Sequence, residues 1–277
     1  MRSHQAAPVR ENTALWRVLA DLAATAELLW QRGWAERNAG NLSFDVTDLV
    51  PAVADAGPVI AVLRGAAFAE LAGRRLLVTA AGSRMRDLAR EPDLGCGVVQ
   101  MTDGGAGYRV VWQGGEGATF APSSELPAHL GIHAALRRRG SAHRAVVHTH
   151  PTELLALSHD PSLGDEARLE RALRAMHPEM VVVVPDGLAR VPYEMPGSAA
   201  QGVAAGAAMD RHDVALWVKH GAVAVGPDFA SAFDLVDTVN KAARMLLLCR
   251  AAGYEPEGLS DAQLGAMRTA YLGPAPS

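Results

Sequence analysis

Two histidines separated by one residue, His148 and His150, are the side chains whose spacing most directly suggests chemistry. They close a short run, RAVVHTH, whose β-branched residues predict a strand that ends at Pro151. Side chains two apart on a strand point to the same face, so both imidazoles could bind one metal ion. An isolated pair of this kind is more often two ordinary histidines beside a turn, and a third group is needed to favour a metal.

His220 supplies that third group, because it also follows an apolar, strand-like run (ALWV) and precedes Gly221. Three imidazoles that leave a fourth position open are typical of catalytic zinc. Closed structural sites usually use thiolates, and Cys96 and Cys249 have no Cys-x-x-Cys partner. The sequence therefore predicts a catalytic divalent-metal site. Zinc is preferred, although three imidazoles also accept manganese or cobalt.

Glu125 lies at the start of a predicted helix and has two interpretations. A carboxylate there caps the helix and is favoured by the helix dipole, and the same carboxylate could be a general acid/base beside a metal-bound substrate. His129 and His133 are one helical turn apart, but Leu130 stands where a zincin motif has glutamate. We interpret these two histidines as packing or supporting groups.

The candidate residues lie on helices and strands that alternate along the chain. Apolar spacing and turn signals predict helices over 12–32, 59–72, 124–139, 151–158, 164–176, 197–210, 229–252 and 260–272. Strands are predicted over RRLLVTAAG, GYRVVWQ, RAVVHTH, MVVVV and, as a pair broken near Gly221, VALWVKHGAVAVG. The prediction is one α/β domain over residues 1–277, with a central sheet covered by helices.

The bulk composition excludes several classes of function. The net charge of -4 gives no basis for electrostatic binding to nucleic acid or to an anionic membrane. No apolar run is long enough to span a bilayer, and MRSHQAAPVR has no signal-peptide character. Two cysteines do not make a disulfide framework. We expect a cytoplasmic enzyme acting on a small molecule.

Four segments together resemble the class II aldolase/epimerase family: SSELPAHLGIHAAL, AVVHTHPTELLALSH, VVVVPDG and LWVKHGAVAVG. The resemblance covers nearly the whole chain and implies a mainly antiparallel central sheet between helices. It implies one Zn²⁺ per subunit, bound by His148, His150 and His220. It also implies that Glu125 is the catalytic acid/base, and that Glu179 reaches the active site of a neighbouring subunit in a homotetramer.

The same resemblance implies a ketose phosphate as the substrate. Its phosphate and substrate contacts would come from Asn38, Gly40, Asn41, Ser123 and Ser124. Small residues and backbone N–H groups in such loops suit a phosphate dianion. The chain departs from the family in two places. Its Thr-Gly-Ser-Gly-Lys loop is Thr-Ala-Ala-Gly-Ser here (residues 79–83), and Ala39 stands where close relatives have glycine.

Other activities on the same scaffold remain open at this stage. A different sugar-phosphate aldolase, a pentulose-phosphate 4-epimerase and a methylthioribulose-phosphate dehydratase share the implied site. A non-catalytic, adducin-like binding module is disfavoured because all three histidines and Glu125 are present. A Schiff-base aldolase is also disfavoured. It needs a buried reactive lysine, whereas Lys219 alternates with His220 on its strand and Lys241 lies on a long helix.

Overall fold

Among the residues that the computed structural model describes (12–54, 57–61, 67–115 and 120–273), nine strands form one sheet. The strands are β1 (Asn41–Asp45), β2 (Ile60–Ala61), β3 (Arg75–Thr79), β4 (Cys96–Met101), β5 (Gly107–Gln113), β6 (Ala145–Thr149), β7 (Leu188–Val191), β8 (Val214–Trp217) and β9 (Gly221–Gly226). Their order across the sheet is β2-β5-β4-β3-β1-β6-β9-β8-β7. Every pair is antiparallel except β7–β8. The expected mainly antiparallel α/β fold is confirmed.

Helices cover both faces of this sheet. They are α1 (Thr13–Gln31), α2 (Met85–Leu88), α3 (Leu126–Arg138), α4 (Thr152–Leu157), α5 (Glu166–Arg174), α6 (Glu179–Val182), α7 (Ala199–Met209), α8 (Phe229–Ala251) and α9 (Asp261–Leu272). One apolar cluster joins α1 and α8 to one face, and a second joins α3 and α7 to the other. None of the described helices is long and apolar enough to cross a membrane.

Strand alternation decides which face carries the predicted ligands. On β6, Ala145 and Val147 belong to the α1/α8 cluster, whereas Val146 belongs to the α3/α7 cluster. His148 has the same parity as Val146 and therefore faces α3 and α7. The residues of β1 paired with Val146 and His148 are Ser43 and Asn41, which point the same way. The chemistry of this chain is therefore expected on the α3/α7 face.

Helices α3 and α7 approach each other unusually closely. Gly131 on α3 and Gly202 on α7 make this possible, because a Cβ added at Gly131 would lie 2.0 Å from the carbonyl oxygen of Gly202. Only a residue without a side chain allows two helix backbones this near contact. The start of α3, at Glu125, is thereby held beside the start of α7, at Gln201.

The predicted MVVVV strand is wrong, because residues 179–182 form the short helix α6. Burial explains the difference. Met180, Val181 and Val184 are buried while Val182 is exposed, which is the spacing of a helix face and not of a strand in a sheet. The strand that follows the Pro-Asp-Gly turn is β7, which pairs in parallel with β8.

The predicted helix over 59–72 is also wrong where it is described. Ile60 and Ala61 form the edge strand β2, paired with Tyr108 and Gly107, and Ala69–Leu71 is a single 3₁₀ turn. Residues 62–66 lie outside the described part of the chain. The β-branched pair Val59-Ile60 favours extended backbone over a helix. The remaining predicted helices and strands are confirmed within a few residues.

Candidate metal centre and active site

His148 is the next-to-last residue of β6 and is completely buried. Its Nδ1 lies 3.0 Å from the carbonyl oxygen of Ala222 on β9. A carbonyl only accepts, so Nδ1 carries the proton and donates it, which leaves the Nε2 lone pair facing the site. The ring also packs on Trp217 of β8, with the ring centroids 4.6 Å apart. Two neighbouring strands thus fix both the position and the tautomer of His148.

His150 follows β6 directly and is held by the segment before β1. Its backbone N–H donates to the carbonyl oxygen of Trp34 (2.9 Å), and its Nδ1 lies 2.9 Å from Oε1 of Glu36. Burial, and then the neighbouring His148, lower the pKa of His150 below its ordinary value. His150 is therefore neutral at physiological pH, donates from Nδ1 to the carboxylate and keeps Nε2 free.

His220 stands in the turn between β8 and β9 and completes the group. One nitrogen from each of His148, His150 and His220 lies within 4.8 Å of the other two. The three ring centroids are 4.9–5.6 Å apart. The expected convergence of the three imidazoles is therefore present in the structure.

Gly221 makes this convergence possible. A Cβ at this position would lie 2.6 Å from the carbonyl oxygen of Thr149 and 2.8 Å from ring carbons of both His148 and His150. Any side chain at Gly221 would push two of the three imidazoles out of place. The glycine after His220 is thus a packing requirement of the site.

Glu125 precedes α3 and directs its carboxylate at the histidines, so its side chain makes no capping hydrogen bond to the helix. Its Oε2 lies 3.1 Å from Nε2 of His148, and its Oε1 lies 3.1 Å from Nε2 of His220. Asn41 donates to Oε2 (2.8 Å) and Gln201 donates to Oε1 (3.1 Å). Of the two interpretations of Glu125, the geometry supports a group that acts beside the histidines.

Charge balance favours the ionised form of Glu125 despite its burial. Burial acts to raise the pKa of this carboxyl, whereas positive charge carried by the His148 and His220 rings, or by an ion bound to them, would hold the pKa well below its usual range. A buried carboxylate beside imidazoles needs positive charge close by. Glu125 is therefore available as a proton acceptor at neutral pH.

The donor atoms fit a divalent cation. His148 Nε2 faces Glu125 Oε2 without hydrogen-bond geometry, and Nε2 of His150 is likewise buried without a partner among the described residues. A lone pair and a carboxylate oxygen repel at this distance unless a cation compensates them. Two free imidazole nitrogens, a third imidazole and a carboxylate match the donors that zinc and similar ions bind.

The residues expected at the phosphate end lie on the same side of the site but are spread out. Asn41 and Ser123 line one small cavity together with Thr79 and His129. Gly40 packs against β6, where a Cβ would lie 2.8 Å from the carbonyl oxygen of His148. Asn38 and Ser124 are exposed. The neighbouring Ala81 donates its backbone N–H to the carbonyl oxygen of Ala121.

Glu179 is exposed and lies at the start of α6, where its carboxylate binds Nδ1 of His177 at 2.7 Å. Among the described residues, the side chain of Glu179 contacts His177 and does not reach the three histidines or Glu125. Its expected contribution to a neighbouring subunit therefore stays a prediction.

Two residues of this centre were not predicted from the sequence. Glu36 contacts His150 across 114 residues of chain, and no spacing rule connects such a pair. Gln201 contacts both Glu125 and His220, and its place in the sequence did indicate a buried partner. It is the one polar side chain in the helix AAQGVAAGAAM, and a lone polar residue in an apolar helix needs a partner.

Replacing Glu36 by alanine should weaken metal binding about 10–100-fold, because partners that orient a ligand histidine contribute that much. Glu36 is exposed, so the thermal midpoint of the metal-free protein should stay unchanged. Competition with a fluorescent chelator would measure the affinity. Glu27→Ala, which removes an exposed carboxylate of α1 that contacts Gln31, is the matched control. Equal affinities of the two variants would contradict this role for Glu36.

The chain is similar to known proteins over most of its length. The sequence profile described as "Class II Aldolase and Adducin N-terminal domain" matches residues 20–247. A rhamnulose-1-phosphate aldolase of Bacteroides thetaiotaomicron is 35% identical over 260 residues, covering 93% of this chain and 95% of that protein. A rhamnulose-1-phosphate aldolase of Pectobacterium carotovorum is 35% identical, covering 91% and 92% respectively.

Solved structures agree with this fold. The crystal structure of a sugar-phosphate aldolase from Thermotoga maritima matches with a TM-score of 0.74 and 31% identity, covering 88% of this chain and 100% of that one. An L-fuculose 1-phosphate aldolase matches with a TM-score of 0.61 and 21% identity, covering 92% and 96%. At that identity the second match supports the fold alone.

Proposed function

The chain belongs to the class II aldolase and adducin family and is an aldehyde-lyase, and we propose that its substrate is L-rhamnulose 1-phosphate. The reaction is reversible cleavage to dihydroxyacetone phosphate and L-lactaldehyde. The observation that carries the proposal is the convergence of His148, His150 and His220 on the carboxylate of Glu125. The name shared by the curated relatives at about 35% identity supports the choice of substrate.

His148, His150 and His220 would hold one Zn²⁺ per subunit. The bound ion would supply Lewis-acid catalysis, polarising the substrate oxygens next to the bond that breaks. The protein orients the ligands through contacts behind them, from Ala222 to His148 and from Glu36 to His150. Such contacts fix the ring that presents its other nitrogen to the ion.

Glu125 would carry the proton that the reaction moves. In cleavage the C3–C4 bond breaks, its electron pair stays on C3, and the C4 hydroxyl loses its proton as the aldehyde forms. C3 then takes up a proton, so that atoms and charge balance. In cleavage the ionised Glu125 would receive the proton that the C4 hydroxyl releases and deliver it to C3, and in synthesis it would remove the proton from C3.

Neutral donors would bind the phosphate end of the substrate. We assign this role to Asn38, Gly40, Asn41, Ser123 and Ser124, whose amides, hydroxyls and backbone N–H groups suit a dianion. Asn41 and Ser123 line the same small cavity, so these two residues lie close to each other. Ala81 brings no hydroxyl to this loop, so the contacts rest on these five residues.

A substrate panel with and without chelator tests the proposal. We expect cleavage of L-rhamnulose 1-phosphate to exceed that of L-fuculose 1-phosphate by at least tenfold, with loss of activity in chelator and recovery with Zn²⁺. Aldehyde release can be followed with a coupled alcohol dehydrogenase. Faster cleavage of L-fuculose 1-phosphate, or interconversion of ribulose and xylulose 5-phosphates without aldehyde release, would assign the alternative activities. Absence of stoichiometric metal after purification without chelator would reject a metalloenzyme.

Glu179 would act from a neighbouring subunit of a homotetramer. It would help transfer a proton to the aldehyde oxygen in synthesis and away from the same oxygen in cleavage. Glu179→Ala should lower kcat about 10²-fold or more, the usual contribution of a general acid/base, and leave metal content unchanged. Glu91→Ala, another exposed carboxylate, is the control.

Co-expression gives the decisive form of this test. Chains carrying Glu179→Ala and chains carrying His148→Ala are each expected to be inactive alone. Mixed oligomers should regain activity if Glu179 of one chain serves the metal site of another. Failure of complementation, or loss of metal in Glu179→Ala alone, would contradict the inter-subunit role.

A further inference from the structure

A buried chain of hydrogen bonds leads from the interior of α3 to the carboxylate of Glu125. Ser43 of β1 stands between two histidines of α3, with its Oγ 2.6 Å from Nδ1 of His129 and 2.8 Å from Nε2 of His133. His129 Nε2 in turn contacts Oδ1 of Asn41, and Asn41 Nδ2 donates to Glu125 at 2.8 Å. All five residues are at least 94% buried.

The carboxylate fixes the direction of every bond in this chain. Glu125 can only accept, so the Asn41 atom facing it is the NH₂ group, and Oδ1 faces His129. His129 must then carry its proton on Nε2 and accept at Nδ1. The acceptor at Nδ1 takes the single proton of the Ser43 hydroxyl, and His133 Nε2–H donates to the Ser43 oxygen. Each group donates towards Glu125.

Both histidines must be neutral for this pattern, and their surroundings make them so. Burial lowers the pKa of His129 to about 3 and that of His133 to about 4, because the interior disfavours the imidazolium. A neutral imidazole has one donor and one acceptor, so fixing one nitrogen fixes the other. The pattern is therefore transmitted without ambiguity from Ser43 to Asn41.

We infer that Ser43, His129 and His133 are positioning residues that hold the Asn41 amide with its NH₂ group towards the active site. The inference rests on the proposed aldolase function and extends it, because it assigns a role to three described residues that make no hydrogen bond to His148, His150 or His220. With Ser43 in place, a reversed Asn41 amide would set its oxygen against Glu125 and its NH₂ against the N–H of His129. Asn41 is thus preset as a donor to an anion, whether the carboxylate of Glu125 or a substrate phosphate.

The tautomer of His129 is the direct test and needs no substrate. Side-chain ¹⁵N NMR of histidine-labelled, zinc-loaded protein distinguishes Nδ1–H, Nε2–H and doubly protonated rings. We expect His129 and His133 as neutral Nε2–H tautomers at pH 7, with assignment from His129→Asn and His133→Gln. An Nδ1–H or doubly protonated His129 would overturn the inference, whatever the enzyme's substrate proves to be.

Ser43→Ala tests whether the fixed orientation of the Asn41 amide matters for activity. It removes the proton donor to His129, so the ring should sample both tautomers. We expect kcat/KM to fall about 5–30-fold, the factor that corresponds to about 1–2 kcal/mol. Metal content should remain at one ion per chain. Val98→Ala, a buried truncation on β4, controls for lost stability. A kcat/KM within twofold of the control would overturn the inference.

A second pair of variants keeps the test open if Ser43→Ala does not fold. His133→Gln retains a donor near the position of Nε2, whereas His133→Leu has a similar volume and no donor. We expect Gln to keep activity near the parent level and Leu to lower it. Equal activities of the two would overturn the inference. An inactive parent with the expected His129 tautomer would instead reject the proposed substrate and leave the positioning chain standing.

Discussion

Replacing His148 by alanine should remove the metal and the activity together. The imidazole is completely buried, and its Nε2 has no hydrogen-bond partner among the residues that the structure describes. His150 and His220 alone would leave too few ligands for a stable site. A Lewis acid contributes several kcal/mol, and about 1.36 kcal/mol is a factor of ten, so we expect kcat/KM to fall at least about 10³-fold.

Elemental analysis and the cleavage assay measure these two effects on the same preparation. His159→Ala, which removes an exposed histidine after α4, is the control and should keep both metal and activity. His148→Gln, closer in size to histidine, separates loss of the ligand from loss of packing against Trp217. A His148→Ala protein with one metal per chain and substantial turnover would place the metal elsewhere.

Replacing Glu125 should have the opposite signature, with metal retained and turnover lost. Both Glu125→Gln and Glu125→Ser remove the ionisable group, so we expect kcat to fall about 10²–10⁴-fold in each, the usual contribution of general acid–base catalysis. The three imidazoles remain in place in both variants, so binding of one metal per chain should persist.

The two variants should differ in stability. Gln keeps one oxygen that can accept from Asn41 or Gln201, whereas Ser leaves the buried Asn41 donor without an acceptor and Gln201 with its 3.4 Å contact to His220. An unsatisfied buried group costs about 1–3 kcal/mol, so the free energy of unfolding should be lower for Glu125→Ser than for Glu125→Gln by about that amount. Denaturant unfolding of the zinc-loaded proteins measures the difference. Retained metal together with full activity in Glu125→Gln would exclude the proton-transfer role.

The sequence predicted those parts of the site that depend on local periodicity. His148 and His150 follow from strand spacing, and His220 follows from the apolar run before it and the glycine after it. Most helices were predictable for the same reason, since α1 buries Leu15, Leu19, Leu22 and Leu29 at helical intervals. The class II aldolase resemblance supplied the mainly antiparallel sheet, which alternation of elements alone does not specify.

The missed features depend on contacts between distant segments. A valine-rich run such as 181–184 is compatible with a strand or with one face of a short helix, and packing against α8 and α9 decided between them. Glu36 and Gln201 reach the site only because the sheet order and the α3–α7 contact bring them there. The role of Ser43 could not be predicted from the sequence either, because a serine on the inner face of a strand indicates no function until its neighbours are known.

Two positions of the metal centre differ in how far protein engineering can alter them: Gly221 cannot be replaced, whereas Glu36 can. A side chain at 221 collides with two ligand rings, so libraries that vary this position will lose the centre. Position 36 is solvent-facing, and in the described part of the chain its carboxylate contacts Nδ1 of His150, so we expect this position to accept many side chains without loss of the fold. A search for variants that prefer a different divalent ion should therefore randomise position 36 first and leave the His-Gly turn untouched.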